Sequence, residues 1–101
     1  MKYLVWLNEV MGAGNRRSVR ALEFFGSAQK IYNANNTQRE KSGVFSKKEL
    51  AKMNKTPLSL GTDIISGCIN SGIDIIGIGD RRYPTSLRVI DNPPLLLYVK
   101  G

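Results

Sequence analysis

The stretch Ile73-Asp74-Ile75-Ile76-Gly77-Ile78 and its counterpart Leu95-Leu96-Leu97-Tyr98-Val99 decide the fold of this 101-residue chain. Neither run alternates apolar with polar residues. Short unbroken Ile/Leu/Val runs are the pattern of strands covered on both faces, the habit of parallel sheets. A parallel pair needs a crossover of a dozen or more residues, and the segment from Gly79 to Pro94 has about that length. The sequence therefore predicts the opening strands of a parallel sheet, with one or two helical turns over Pro84–Val89 that point Leu87 and Ile90 inward. Asn92 precedes a proline and is pushed out of helical geometry, so Pro93-Pro94 deliver the chain extended into the second strand. Two strands without further partners leave open edges. The second strand is accordingly expected to be disordered, packed on the helices, or paired with a neighbouring copy.

Upstream of Gly72 the periodicity is helical. Tyr3, Leu4, Leu7, Val10 and Met11 fall on one stripe of a helix from about Lys2 to Met11, with Trp6 at its flank. Gly12-Ala13-Gly14 stops that helix, and Asn15 caps a second whose stripe is Val19, Leu22 and Phe25, closed by Gly26. Ser27 caps a short third helix carrying Ala28, Ile31 and Tyr32. Asn33 to Gly43 is polar and reads as a surface connection, with a single turn possible at the capping-box spacing Thr37/Glu40. Ser46/Glu49 is a better capping box, preceded by Phe45 as a staple, and opens a helix over about Lys47–Asn54 with Leu50 and Met53 inward. Thr56-Pro57 places a cap and a first-turn proline before a longer helix. Its buried stripe is Leu58, Ile65, Cys68 and Ile69, with Gly61 where another helix approaches. The fold class is thus mainly α: a small helical domain over residues 1–72, followed over 73–101 by one or two strands of a parallel α/β sheet.

Composition narrows the chemistry. Fifteen Lys/Arg against eight Asp/Glu give a formal charge of +7, which suits an anionic partner, nucleic acid before acidic membrane; the alternative is a set of solvated surface lysines. There is no histidine and Cys68 is the single cysteine. An internal disulfide, a Cys/His metal cluster and Ser-His or Cys-His nucleophile pairs are therefore excluded. Cys68 reads as a small core residue in a reducing, cytoplasmic setting. The apolar N-terminal run is too short to span a bilayer or to form a signal-peptide core. Gly77-Ile78-Gly79-Asp80-Arg81-Arg82 follows a strand, but Arg82 stands where a dinucleotide loop needs its third glycine. Asp63, Asp74, Asp80 and Asp91 form no acid/base pair. No catalytic group, metal site or cofactor is expected.

The candidate site is the turn Gly12, Gly14, Asn15, Arg16, Arg17 and Arg20. A tight glycine turn between helices aims the free amides of the second helix outward, where they and the helix dipole favour an anion such as phosphate. Three arginines on that first turn add charge and oppose the dipole unless an anion is bound. The arrangement looks like a helix-hairpin-helix, which holds a nucleic-acid backbone without reading bases; the alternative is an ordinary connection with solvated arginines. Lys47, Lys48, Lys52 and Lys55 read as a solvated face. Tyr83 and Tyr98 lie beside strands, where packing is favoured over base stacking.

Asp80-Arg81-Arg82-Tyr83-Pro84-Thr85-Ser86-Leu87, then Ile90-Asp91-Asn92-Pro93-Pro94-Leu95-Leu96-Leu97-Tyr98-Val99-Lys100-Gly101, resembles the DNA-processing protein A family, DprA or Smf. Members carry Tyr-Pro-x-x-Leu, a short spacer, Pro-Pro, an apolar strand with tyrosine and a closing glycine. The upstream helices are similar, more loosely, to the family's SAM-like or helix-hairpin-helix-like N-terminal domain. The resemblance implies a cytoplasmic bacterial protein that binds single-stranded DNA in natural transformation (competence) and DNA recombination. It would help load a recombinase protein without catalysis. It also implies that the chain holds only the first part of such a protein, truncated at the start of a Rossmann-like domain. The family's phosphate-holding loop lies beyond Gly101, so none of its residues carries over. The alternative function is a protein–protein interaction or self-association module, a possible homo-oligomer without direct DNA contact.

Overall fold

Val5, Trp6 and Leu7 are consecutive in sequence and all have no exposed surface. At 100° per residue, three successive positions cover far more of a helix than one stripe. The helix that carries them, α1 (Lys2–Met11), must therefore be surrounded. A computed structural model describing every residue from Met1 to Gly101 shows how. After α1 come α2 (Arg17–Phe25), α3 (Ala28–Asn33), α4 (Asn36–Lys41), α5 (Lys47–Lys55) and α6 (Leu58–Asn70). Strand β1 (Ile73–Gly77), the single-turn helix α7 (Thr85–Arg88) and strand β2 (Leu96–Lys100) complete the chain. Helices α2, α3, α5 and α6 and strand β2 all touch α1. One buried cluster takes in Val5, Trp6, Leu7, Val10, Ala21, Ile31 and Met53 from the helices, Ile75 and Leu96 from the strands and Leu95 just before β2, so it runs continuously across Gly72.

Trp6 is thus central rather than at the flank. Its indole N–H donates to the Thr56 carbonyl at 2.8 Å, and its ring meets Tyr32 edge-on at 5.0 Å. Thr56, expected to cap α6, instead ends α5, and the cap position of α6 falls on Pro57 with no side-chain cap bond. Gly61 explains why α6 lies so close. A Cβ there would sit 2.5 Å from the Lys2 carbonyl oxygen, a backbone atom of α1. Leu58, Ile64, Ile65 and Cys68 pack on the core from this face. Ile69, one position further round the helix, is 71% exposed instead of buried.

The connection expected over Asn33–Gly43 contains helix α4, capped by Asn35 with Gln38 in a complete capping box rather than by Thr37 with Glu40. Asparagine is the stronger cap, and this register sends Arg39 back into the core. Its guanidinium donates to the Ile31 and Tyr32 carbonyls at 3.0 and 2.8 Å and lies 5.7 Å from the centre of a Trp6 ring. A cation is favoured at the open carbonyls that end α3, while burial pulls the Arg39 pKa below its ordinary value. The Ser46/Glu49 capping box forms as expected.

The strands differ from the expectation in direction. They pair antiparallel, Ile73 opposite Lys100 and Gly77 opposite Leu96. Only four residues of the link are helical, which is no crossover helix. Instead the chain turns back through Asp80 N–H to Gly77 O and Tyr83 N–H to Asp80 O, and Ile78 N–H bonds Leu95 O to continue the ladder. An antiparallel pair needs no crossover. Strand β2 is therefore ordered: it pairs with β1 inside the chain and packs on α1, as one of the expected arrangements had it. Leu87 is half-buried, but Ile90 faces outward. No helix is long and apolar enough to cross a membrane.

Two glycines of α6 have opposite environments. Gly61→Ala forces two backbones apart and is expected to cost about 1–3 kcal/mol, lowering Tm by roughly 5–20 °C. Gly67 faces open space, so Gly67→Ala is expected to raise stability by up to about 1 kcal/mol. Thermal melts of both variants check the close approach; equal effects would contradict it.

Candidate nucleic-acid interface

The turn after α1 is built as its glycines require. Gly12 and Gly14 have φ of 82° and 73°, values that side chains disfavour, and Gly12 N–H closes α1 on Asn8 O at 2.9 Å. Helical geometry begins at Arg16, yet Asn15 does the capping: its Oδ1 accepts from Arg17 N–H at 2.9 Å. Its Nδ2 donates to Met11 O at 2.9 Å and to Glu49 Oε2 at 2.7 Å. The Gly14 carbonyl accepts from Asn92 Nδ2 at 2.9 Å, tying the turn to the tail.

Arg17 is not available to an external anion. Its fork meets both oxygens of Glu49, Nη1 to Oε1 at 2.7 Å and Nη2 to Oε2 at 2.8 Å. Glu49 Oε1 also accepts the Ser46 N–H that completes the α5 capping box. Four donors thus converge on a carboxylate whose side chain is 9% exposed. Charge-assisted bidentate contacts of this kind are among the stronger polar interactions. The geometry also places the first turns of α2 and α5 against each other, with one negative charge serving both positive helix ends. The carboxylate holds α2 through the Asn15 and Arg17 side chains, while the first α2 amides, Arg17 N–H and Ser18 N–H, bond Asn15 itself.

What remains open to solvent is positive. Arg16 and Arg20 on α2 and Lys47 and Lys48 on the first turn of α5 are exposed, and none belongs to an ion pair. Of the six residues in the expected site, Gly12 and Gly14 shape the turn, Asn15 and Arg17 lock it, and Arg16 and Arg20 face outward. Glu49 and Asn92 went unnoticed in the sequence as parts of this site. The capping-box spacing marked Glu49, but nothing in the pattern pairs it with Arg17, 32 positions earlier.

The Tyr-Pro element is assembled beside β1. Tyr83 is buried, and its hydroxyl donates to the Pro94 carbonyl at 2.7 Å; burial raises its pKa. Arg82 bridges Asp74 of β1 and Asp80, so the residue that breaks the dinucleotide pattern instead latches the loop to the strand. Hydrogen bonds from Arg82 hold the Asp80 carboxyl down to about 2. No group of three or more potential metal ligands is clustered. No family model, curated protein or solved structure matches the chain.

Glu49→Ala removes the fork and the capping box together and is expected to cost about 2–4 kcal/mol in urea unfolding, while Lys47→Ala stays within about 0.5 kcal/mol. Because the folded pKa of Asp80 is depressed, its latch contributes stability above the ordinary carboxylate range and loses it as pH falls through about 2. An NMR titration of Asp80 is expected to show that low midpoint, and Arg82→Ala to return it to the ordinary range.

Proposed function

We propose that this chain is the N-terminal part of a DNA-processing protein of the DprA/Smf kind, with α1–α6 acting as an accessory domain that holds the backbone of single-stranded DNA. The observation that carries this reading is the set of unpaired, exposed cations, Arg16 and Arg20 at the start of α2 and Lys47 and Lys48 at the start of α5, two helix ends joined by the Arg17–Glu49 pair. Their charge is not spent on an internal carboxylate, because Arg17 alone takes Glu49. Contacts of this type position a strand through its phosphates and carry no base information. Binding of this kind involves no catalysis.

The tail supports the family part of the proposal. Tyr83 and Pro94, which belong to the two halves of the motif, are joined by a hydrogen bond, so the motif acts as one packing unit. A Rossmann-like sheet that starts at β1 and carries β2 as an antiparallel edge would be a mixed sheet, a common arrangement. Loading of a recombinase belongs to the same proposal and would draw on the rest of such a protein.

Self-association is the second reading, favoured by exposed Val89, Ile90, Tyr98 and Val99 around α7 and β2. It predicts a dimer that survives high salt, read by size exclusion.

The test is anisotropy of a labelled oligothymidylate over a salt series. Arg16→Ala with Arg20→Ala is expected to weaken binding at every salt concentration and to flatten the log–log salt slope by about 1.4, two single-strand phosphate contacts. Unchanged affinity and slope would remove the turn from the function. Arg17→Ala is expected to act through lost stability instead.

A further inference from the structure

Helices α2, α3 and α4 leave an open groove of about 550 Å³ between them, lined among others by Phe24, Phe25, Lys30, Asn33, Gln38 and Lys41. That volume is in the ligand-sized range of roughly 300–1,000 Å³. The groove is formed by the C-terminal end of α2, away from the Arg16–Arg20 first turn. Phe24 is 63% exposed, and its ring meets Phe25 at 5.1 Å in an edge-on pair. Phe25 in turn stacks on Phe45 at 5.9 Å and 24°. The inner two rings are packed, and Phe24 is the one left facing water.

The polar lining has one sign. Lys30 and Lys41 line the groove and no carboxylate does; Glu23 and Glu40 are exposed on the same helices but lie outside the lining. Neither lysine belongs to an ion pair. The Lys30 ammonium lies over Gly26, which closes α2 with a φ of 95°. Asn33 makes no side-chain hydrogen bond within the chain. Gln38 spends only its carbonyl oxygen, on Asn35 N–H, and its amide N–H groups are free to donate. An exposed ring, two free cations and two side-chain amides match the needs of an unpaired nucleotide. A ring stacks on any base, an ammonium pairs with phosphate, and an amide meets a base edge.

We infer that the α2–α3–α4 groove is a nucleotide subsite in which an unpaired base stacks on Phe24 and its flanking phosphates lie against Lys30 and Lys41. This rests on the nucleic-acid reading of the chain but not on the Arg16–Arg20 turn. It gives that reading a strand preference: a paired base has no face to offer Phe24, so the groove selects single strands, while the turn accepts any phosphate backbone.

The test compares variants of the whole 101-residue chain by anisotropy with labelled oligothymidylate and with a duplex of equal length. Phe24→Ala is expected to weaken single-strand binding about fivefold or more, as expected for the loss of about 1 kcal/mol or more of base stacking, and to leave duplex binding unchanged. Phe24→Trp is expected to restore it. Phe24 is exposed, so its variants should melt with the parent chain, and the comparison is made only between folded proteins. Lys30→Ala with Lys41→Ala is expected to flatten the single-strand salt slope by about 1.4. In NMR spectra, thymidine 5′-monophosphate is expected to shift the Phe24 ring and the Lys30, Asn33 and Lys41 amides. Single-strand affinity unchanged by Phe24→Ala overturns the subsite, as does equal loss on single strand and duplex. So does a polyglutamate peptide that shifts these signals where the nucleotide does not. If only the Arg16/Arg20 pair matters, the groove fails and the turn stands; if only Phe24 and its lysines matter, the turn fails and the groove stands. An absence of any binding overturns both.

Discussion

The structure depends on α1 being enclosed. Burying Val5, Trp6 and Leu7 together obliges neighbours to cover the helix from several directions, and the covering is possible because Gly61 lets the α6 backbone come against Lys2. Once α6 is there, the Thr56 carbonyl is within reach of the Trp6 indole, which answers the one polar atom of that ring. Arg39 closes the other side by crossing Trp6 and holding the carbonyl end of α3. The two strands then join the same core through Ile75 and Leu96, with Leu95 beside them. Position and direction of the basic turn follow, because that turn is simply where α1 ends.

Glu49 does between the starts of α2 and α5 what Trp6 does in the core. Two helices meet with their positive ends together, an unfavourable arrangement unless a negative charge sits between them. The four donors on the Glu49 carboxylate meet that need. The consequence is functional as much as structural. With Arg17 alone committed to Glu49, Arg16, Arg20, Lys47 and Lys48 are exposed, belong to no ion pair and are free to meet an external anion. A net charge of +7 spread over so small a chain makes such an encounter strongly dependent on salt.

Much of this was legible locally. The limits of α1, the caps at Ser27 and Ser46, the close approach at Gly61 and the burial of Tyr83 are each set by neighbours in sequence or by a residue type with one good use. What was not legible lies between distant segments. The strand direction turned on how the Asp80–Tyr83 loop folds back, and a run such as Ile73–Ile78 looks the same in either direction. Trp6 lies outside the single apolar stripe that the periodicity marks, because α1 is enclosed on more than one side. Ile69 and Ile90 look like core residues by type, but no element comes to cover them. Arg17 was counted with Arg16 and Arg20 because nothing in the sequence names its partner. Phe24 passed unremarked beside Phe25, since only the assembled α3 and α4 turn an exposed ring into the wall of a groove.

The central claim is that the abutting first turns of α2 and α5 present cations to a single-stranded phosphate backbone. Amide chemical-shift mapping during titration with oligothymidylate tests it most directly. The account predicts salt-sensitive shifts at Arg16–Arg20 and at Lys47 and Lys48, with the β1–β2 sheet unmoved. Shifts that bypass both turns and collect on α7 and β2, or none at saturating oligonucleotide, would contradict it.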